Sequence, residues 1–452
     1  MTELLDLAHA VVGRALPGEG VEVYVARGKD TEVRAYDGEI EQLATASSAG
    51  VGIRVVVPAG GEGNRVGFAW AGSLEPSVVD EVLRDARDNA AFATPDPDVV
   101  LAEPDGVPVA ALDLWHPGFA ETSTDRKVEL ALELERMVRH ADPRVRQVDS
   151  ADYGDASVEM AIASTTGIAA TSRRTSAFLS VSAIASDGKG TQTGNGFSVG
   201  RAAAELDAER AADDAVARAV RLLGARKPRS GRITAVFDPR VVSTILSIVA
   251  GALSGDTVVK GRSIFAGRLG EEVAAQAVTL VDDPTDARAF GAARFDGEGL
   301  ACRRNLLIDA GVLKGFVYDT VSARRAGAVS TGSAVRGGFA GTPGAGCRAV
   351  VLSPGTLDQG AILSDVGTGI YVQSVTGVHS GVNPVSGDFS VGAEGLMVRT
   401  GELAEPVREA TVASTLQRML LSIRHVGADI EWLPGTAAGQ TLAVADMQLS
   451  GA

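Results

Sequence analysis

The sequence predicts an α+β protein, with two N-terminal meander-plus-helix units followed by a C-terminal, mostly antiparallel β domain wrapped around a buried helix. Three observations lead to this prediction. Segments of alternating apolar and polar residues, separated by glycines, recur along the first half and are typical of antiparallel strands. The segment 239–254 is apolar on most sides, as expected for a buried helix. With 452 residues, the chain is too long for one ordinary core.

The first predicted unit covers residues 1–110. An amphipathic helix at its start is followed by an antiparallel meander, and a second helix extends from about 75 to 91. Residues 94–118 are rich in Pro and Asp and predict a linker that crosses the surface. The predicted strands of this unit are 21–26, 31–36, 40–46, 51–57 and 65–71.

The second predicted unit covers residues 111–226 and repeats the order helix, meander, helix. Its first helix begins near 124 and ends near 140, and its last helix covers 207–223. Gly224 stands directly after that helix, where glycine commonly ends one. The predicted strands are 145–153, 157–164, 169–176, 177–186 and 190–200.

The third predicted unit covers residues 227–452. An apolar segment at 233–237 precedes Asp238 and Pro239, which form a helix-start signal: the carboxylate can accept from free N–H groups, and proline loses no hydrogen bond there. A late helix is predicted at 411–424. We expect a curled antiparallel sheet or open barrel around the buried helix. The predicted strands are 277–282, 305–310, 312–318, 349–352, 369–375, 388–394, 395–400, 430–433 and 442–449.

Composition excludes several classes of partner. The net charge is −15 and the only basic cluster is the short segment 226–229, so we expect no nucleic-acid partner. No apolar segment reaches about 18 residues, so we expect no membrane span. Cys302 and Cys347 are the only cysteines and form no CxxC motif, which favours reduced thiols and a cytoplasmic location.

Four segments of the third unit carry a resemblance to a known family. Residues 254–273 (SGDTVVKGRSIFAGRLGEEV), 282–299 (DDPTDARAFGAARFDGEG), 303–327 and 377–395 (GVHSGVNPVSGDFSVGAEG) resemble the TldD/PmbA, or modulator of gyrase, family. They look most like its TldE/PmbA branch. The first two units resemble the family only in their layout.

The resemblance implies a metallopeptidase fold that has lost its metal. In the TldD branch, the helix before the shared Gly-Asp carries an HExxxH motif that binds zinc and supplies a catalytic Glu. In this sequence Leu246, Ser247 and Gly251 occupy those positions, and the segment 431–448 lacks the cysteine that completes zinc ligation in metal-bearing relatives. None of these side chains can bind zinc or act as a carboxylate base. We therefore expect no catalytic residue and no metal or other cofactor in this chain, with zinc in a partner.

A Gly- and Pro-rich loop at 377–389 provides most of the candidate binding residues. His379 beside Ser380, with Asp388 downstream, suggests a catalytic triad, but adjacent strand residues point to opposite faces and the GxSxG context is absent. A structural turn held by His379, Asn383 and Asp388 is an alternative. The resemblance implies that this loop lines the central cleft. We therefore predict that His379, Ser380, Asn383 and Asp388 bind substrate.

Glu298 is the fifth candidate. It lies in Asp296-Gly-Glu298-Gly, which resembles a D-x-E-G motif near the active cleft of metal-bearing relatives. The structural alternative is a turn that holds Arg303 or Arg304 through a salt bridge. We predict that Glu298 contacts substrate.

The function that the resemblance implies is that of a non-catalytic TldE-like subunit. It would pair with a TldD-like zinc metallopeptidase and close a chamber in which unfolded or leader peptides are cut. The peptide would be held extended by strand addition. Two alternatives remain open: a homodimeric peptide-binding or scaffold protein without hydrolytic activity, and an enzyme with a relocated site around His379.

Overall fold

The computed structural model describes residues 2–451, and its first half is organised by one sheet. Six antiparallel strands lie in the order β3-β2-β1-β4-β5-β6, so the two predicted N-terminal units share a single sheet. The two units are connected by the pairing of β1 with β4, which extends from Glu22 opposite Ser164 to Ala35 opposite Ala151. The elements are α1 (Thr2–Val12), β1 (Gly20–Tyr36), β2 (Glu39–Pro58), β3 (Asn64–Ala71), α2 (Pro76–Phe92), α3 (Thr124–Ala141), β4 (Val145–Ser164), β5 (Ala169–Ser186), β6 (Thr191–Gly200) and α4 (Ala208–Val220).

The strands of this sheet are longer than the sequence predicts. The predicted pairs 21–26 and 31–36, 40–46 and 51–57, 145–153 and 157–164, and 169–176 and 177–186 are each one continuous strand. Gly28, which suggested a turn, lies inside β1 and is paired with Ser48 on one side and Val158 on the other. The apolar alternation lapses there because residues 27–30 lie between two apolar clusters of the same sheet face, while backbone pairing continues.

The helices cover one face of the sheet. Val21, Val23 and Val25 of β1 pack with α1 and α2, and further along the same face Val33 and Ala35 pack with α3 and α4. Because strand side chains alternate, the intervening residues of β1 point to the opposite face. That second face contacts the C-terminal half of the chain.

The C-terminal half has the predicted architecture, a sheet curled around a buried helix. Its main sheet has the order β16-β15-β14-β7-β18-β17, and an additional pairing of β16 with β18 makes it a barrel-like ring. The elements are β7 (Gly231–Phe237), α5 (Pro239–Ala252), α6 (Gly255–Val259), β8 (Leu280–Asp282), β9 (Asn305–Asp309), β10 (Val312–Leu313), α7 (Thr320–Arg325), β11 (Ala334–Val335), β12 (Gly344–Ala345), β13 (Val350–Leu352), α8 (Gln359–Val366), β14 (Gly369–Thr376), α9 (Val378–Gly381), β15 (Asp388–Arg399), β16 (Glu402–Thr415), α10 (Leu416–Leu421), β17 (Ile423–Val426) and β18 (Leu442–Ser450).

The helix α5 begins as the sequence predicts. Asp238 accepts a hydrogen bond from the backbone N–H of Arg240 at 3.0 Å, and Pro239 occupies the first turn. Val242, Leu246 and Val249 are among its residues in the largest apolar cluster of the molecule. The prediction of a buried central helix is confirmed.

Several local predictions in this half are wrong. The predicted helix 411–424 is instead the end of β16, the short helix α10 and the strand β17. The apolar residues at 416, 419, 420 and 423 have helical spacing, but Thr411, Val412 and Thr415 are β-branched and pair with β15. Predicted strands 388–394 and 395–400 are one strand, β15. Of the predicted strands 312–318 and 430–433, the structure keeps Val312–Leu313 and an isolated bridge between Glu431 and Gly439.

The helices of the described residues include none long and apolar enough to cross a membrane.

Candidate functional site

The candidate site lies where the second face of the N-terminal sheet meets the C-terminal half. Tyr24, Ala26 and Ile162 of the sheet pack with Leu300 in a small apolar cluster, and Phe339 packs against it. Gly52 of β2 makes this approach possible, because a Cβ atom there would overlap the carbonyl of Phe339. The interface is therefore closely packed.

A cluster of four buried charged residues crosses this interface. Arg54 of β2 is bidentate to Glu22 of β1, with Nε–Oε1 and Nη2–Oε2 distances of 3.0 and 2.7 Å. The two lie opposite each other in the strand register. From the C-terminal half, Arg336 donates to Glu22 Oε1, the oxygen that also accepts from Arg54 Nε, and Glu298 Oε1 lies 3.7 Å from Arg54 Nη2. The exposed fractions of these side chains are between 0 and 7%.

The two carboxylates of this interfacial charge cluster have opposite electrostatic environments. Burial favours the neutral form of Glu22, but Arg54 and Arg336 outweigh it and lower the pKa of Glu22. Burial is also the main influence on Glu298; Arg54 offsets it only in part, and the pKa of Glu298 is raised from 4.5 to about 7. Both arginines are thus bound chiefly by Glu22, and Glu298 is a carboxyl group that can bind a proton near neutral pH.

The turn that carries Glu298 is held by Asp296. One carboxylate oxygen of Asp296 accepts from the backbone N–H groups of Glu298 and Leu300 at 2.8 and 3.0 Å, and the other from Ala334 at 3.0 Å. Gly299 has a φ of +85°, which favours glycine. Glu298 itself accepts from the N–H and hydroxyl of Thr320 at 2.9 and 2.7 Å.

The structural alternative, a turn that holds Arg303 or Arg304 through a salt bridge, is correct for the turn and wrong for the salt bridge. Arg303 pairs with Asp105 at 2.6 Å, and Arg304 lies 3.8 Å from Asp283. The arginine closest to Glu298 is Arg54, from the other half of the molecule. Because Arg54 and Glu298 are 244 positions apart in the chain, the sequence around Glu298 does not indicate this contact.

Beside the interfacial charge cluster lies a cavity of about 140 Å³. Strands β1, β4 and β5 form one wall, and segments 292–297, 336 and 348 form the other. Its charged lining residues are Arg173, Arg174, Arg336, Arg348 and Asp296.

The positions of the zinc motif lie on α5 and do not fit a metal ion. Leu246 is 2% exposed and packs in the core. The hydroxyl of Ser247 donates to the Ser243 carbonyl at 2.9 Å and accepts from the Thr436 hydroxyl at 3.1 Å. Gly251 has no side chain. Among residues 2–451, no group of three or more His, Cys, Asp or Glu side chains is placed to hold a metal ion.

The loop 377–388 forms a separate, exposed feature between β14 and β15. Asn383 Oδ1 accepts from the N–H groups of Val385 and Ser386 at 2.9 and 3.2 Å, and Asp388 Oδ2 accepts from the Ser386 hydroxyl at 2.6 Å. Ser380 donates to the Gly377 carbonyl at 3.2 Å. These bonds hold the loop together.

His379 differs from its neighbours in this loop. It is exposed, and within the described part of the chain its imidazole has no hydrogen bond or ion pair, so neither Ser380 nor Asp388 forms a triad with it. Of the five predicted binding residues, His379, Ser380, Asn383 and Asp388 share this loop, whereas Glu298 is buried in the interfacial charge cluster. Their contact with a substrate stays a prediction.

Three members of the interfacial charge cluster are not among the residues predicted from the sequence: Glu22, Arg54 and Arg336. A signal was available for two of them. Glu22 stands between Val21 and Val23, and Arg54 interrupts an apolar segment of β2. A charged residue inside an apolar strand needs a buried partner, because an isolated buried charge is very costly. Arg336 lies in a Gly-rich segment without such a signal.

Family models match most of the chain. The PmbA/TldA metallopeptidase C-terminal domain matches residues 230–451, the central domain matches 117–223, and domain 1 matches 21–90.

The chain is also similar to individual proteins whose names belong to the same family. The chain is 28% identical to the metalloprotease PmbA of Escherichia coli over 96% of this chain and 92% of that protein. It is 26% identical to a metalloprotease TldD homolog of Haemophilus influenzae, over 86% and 82%. The crystal structure of TldE from Thermococcus kodakarensis superimposes with a TM-score of 0.89 at 24% identity and covers 100% of both chains, which shows the shared fold. The chain therefore belongs to the PmbA/TldD family.

Proposed function

We propose that this chain is the non-catalytic, TldE-like subunit of a heterodimeric zinc metallopeptidase that acts on unfolded or leader peptides. The observation that carries the proposal is the composition of α5, where Leu246, Ser247 and Gly251 stand at the positions of the HExxxH motif. A zinc peptidase needs imidazole or carboxylate ligands and a general base, and these three residues supply neither.

The packing of α5 supports the same proposal. A single substitution at Leu246 would not create a ligand, because its side chain points into the apolar core. Ser247 is already bound through its hydroxyl to Ser243 and Thr436. The helix is therefore adapted to packing and not to metal binding. We propose that the zinc lies in a TldD-like partner and that the complex acts in the cytoplasm.

Within such a complex, we propose His379 as the residue of the 377–388 loop that contacts the peptide. Its ring is exposed and unpaired within residues 2–451, whereas the side chains of Ser380, Asn383 and Asp388 are engaged in holding the loop. Those three would then act by positioning His379. Glu298, which is fully buried, would act from beneath the surface through Arg54.

The test compares the chain alone, a TldD-like chain from the same genome alone, and the two co-expressed. We expect a one-to-one complex that carries zinc and cleaves flexible peptides, while this chain alone carries no stoichiometric zinc and cleaves nothing. Replacing the Glu of the partner's HExxxH motif should abolish cleavage without dissociating the complex.

Two outcomes would reject the proposal. About one tightly bound zinc per chain, or peptide cleavage by this chain alone, would indicate a site of its own. Failure to form a complex, together with a stable homodimer that binds peptides without cutting them, would favour the scaffold alternative.

A further inference from the structure

The cavity beside the interfacial charge cluster is strongly cationic. Four arginines and one aspartate are the charged residues of its lining. Within residues 2–451, neither Arg173, Arg174 nor Arg348 has a carboxylate within ion-pair distance. Arg336 shares Glu22 with Arg54. Arg174 and Arg348 therefore line the cavity without the contacting carboxylate that buried arginines normally have.

The aspartate does not neutralise this charge by contact. Both oxygens of Asp296 accept backbone N–H groups, from Glu298, Leu300 and Ala334. Its carboxylate is thus committed to the turn, and no guanidinium donates to it among the described residues.

Several guanidinium nitrogens in this cavity wall have no hydrogen-bond acceptor among the described residues. Arg336 donates through Nε to the Gly297 carbonyl at 3.1 Å and through Nη2 to Glu22, but its Nη1 is buried without a partner in a side chain that is 2% exposed. Arg348 donates through Nη2 to Ala334 at 3.1 Å, and its buried Nε has no partner among residues 2–451. A buried donor without an acceptor is destabilising, so both groups require a ligand or water.

The third arginine of the cavity, Arg174, is half-buried and also lacks a contacting carboxylate among the described residues. Arg174 donates through Nη2 to the Phe290 carbonyl at 2.6 Å and has no ion pair within the described chain. Burial, with the nearby charges of Arg201 and Arg348, lowers the pKa of Arg174 to about 10. An anion in the cavity would relieve this repulsion.

We propose that the cavity binds an oxyanion, either the carboxylate of a peptide or a phosphate group, through Arg174, Arg336 and Arg348. Guanidinium groups match both oxyanions because their planar, forked donors can form two parallel hydrogen bonds. A volume of about 140 Å³ is well above what one water molecule needs. Tyr24 and Phe295 add apolar wall for a short group attached to the anion.

A purely structural role leaves part of the observation unexplained. Each of the three arginines ties one backbone carbonyl of the C-terminal half, at Phe290, Gly297 or Ala334. Such ties need one donor each, whereas a guanidinium has five. Neutral donors would serve as well and would avoid placing like charges together. The excess of charge and donors is what an anion site requires.

The experiment measures the shift in melting temperature of the purified chain and its affinity by calorimetry, at constant ionic strength and millimolar ligand. The probes are inorganic phosphate and a short acetylated peptide, either with a free carboxyl terminus or amidated. A ligand that binds only the folded chain raises its melting temperature. Low concentrations exclude the general stabilisation by phosphate, which acts through surface exclusion.

We expect saturable binding of phosphate or of the free-carboxyl peptide, and none of the amidated peptide. Arg348→Gln and Arg174→Gln should each weaken it at least tenfold. Arg229→Gln is the matched control: Arg229 is exposed and belongs to a different basic groove at 224–233, so its loss should leave the affinity unchanged. Binding of phosphate but not of the free-carboxyl peptide would identify the ligand as a phosphate group. Binding of the peptide but not of phosphate would identify it as a peptide carboxylate.

A second variant keeps the test decisive if the arginine variants do not fold. Ser172 of β5 lines the same cavity, and Ser172→Glu places a tethered carboxylate among the arginines. We expect a higher melting temperature than the wild type and loss of the ligand-induced shift. Absence of binding to both probes in the wild type, or affinity lost equally in Arg229→Gln, would overturn the proposal. Because the chain is tested alone, this result does not depend on the proposed peptidase partner.

Discussion

The interfacial charge cluster and the 377–388 loop are built in opposite ways. The cluster joins Glu22 and Arg54 of the N-terminal sheet to Glu298 and Arg336 of the C-terminal half, and all four side chains are buried. The loop is exposed, and its polar side chains bond backbone and hydroxyl groups a few residues away, such as Ser386 with Asp388. One feature depends on the whole fold, and the other mainly on its own sequence.

Because of this difference, we expect the cluster to matter mainly for stability and the loop to be the feature that a ligand can reach. A buried charge that loses its partner remains buried, so the cluster should respond strongly to substitution. An exposed loop with local hydrogen bonds should tolerate change with little effect on the global free energy of unfolding. A ligand, however, reaches the loop directly. Four substitutions test this contrast, in order of decreasing expected effect.

The largest effect is expected for Arg54→Met. It leaves Glu22 with Arg336 alone and removes the cation nearest to Glu298. We expect a loss of about 3–5 kcal/mol in the free energy of unfolding, measured by chemical denaturation. Arg27→Met is the matched control, because Arg27 pairs with Glu159 across the same sheet but is 45% exposed. That variant should lose no more than about 1 kcal/mol. Equal losses would show that burial does not distinguish the two pairs.

The second largest effect is on the pH dependence of the free energy of unfolding, and it tests Glu298. Its pKa is raised from 4.5 to about 7, so the folded chain keeps a proton that the unfolded chain releases between these values. This stabilisation is full below pH 4.5 and is lost as the pH rises through 7. Glu298→Gln is neutral throughout, so its stability relative to the wild type should rise with pH by up to about 1.4 kcal/mol per unit in that window. Parallel pH profiles of the two proteins would contradict the raised pKa.

The third effect is on activity. In a peptide-cleaving complex, His379→Ala should lower the rate about three- to tenfold, because it removes one substrate hydrogen bond of about 0.5–1.5 kcal/mol. The melting temperature should not change, since the imidazole is exposed. A loss of about 10²–10⁴-fold would instead indicate a catalytic base. Unchanged activity would leave the loop an ordinary surface turn.

The smallest global effect is expected for Asn383→Ala. This substitution removes the acceptor of two backbone N–H groups, those of Val385 and Ser386. Amide exchange at these two positions should become faster, by about fivefold for a hydrogen bond worth about 1 kcal/mol. Global unfolding should shift by less than about 0.5 kcal/mol. A loss of several kcal/mol would show that the loop is not a local structure.

The same contrast explains what the sequence could predict. Features with local causes were found: the cap at Asp238, the apolar helix α5, and the loop shaped by Gly377 and Gly387, which have φ values of +74° and +84°. Strand lengths were underestimated, since residues 27–30 are strand only because β2 and β4 lie on either side. The helix predicted at 411–424 failed for the same reason, because pairing with β15 overrides a helical pattern.

For the candidate site, sequence could identify residue types but not pairings. The motif Asp296-Gly-Glu298-Gly indicates Glu298, but the only partners that the local sequence offers are the neighbouring Arg303 and Arg304. The actual neighbour, Arg54, is brought there by the register of β1 and β2 and by the docking of the two halves. A cavity wall formed from β5 and from segments near 290 and 340 likewise has no counterpart in any single stretch of sequence.

The shared N-terminal sheet has a consequence for the order in which the chain can fold during synthesis. The strand β1 pairs with β2 immediately after it, but its other neighbour begins at Val145, 109 residues beyond Tyr36. Until that strand emerges from the ribosome, the long edge of β1, with Val21, Val23 and Val25, has no neighbour, and such an edge invites pairing with other chains. A fragment of residues 1–110 should therefore aggregate, whereas residues 1–226 keep both neighbours of β1 together.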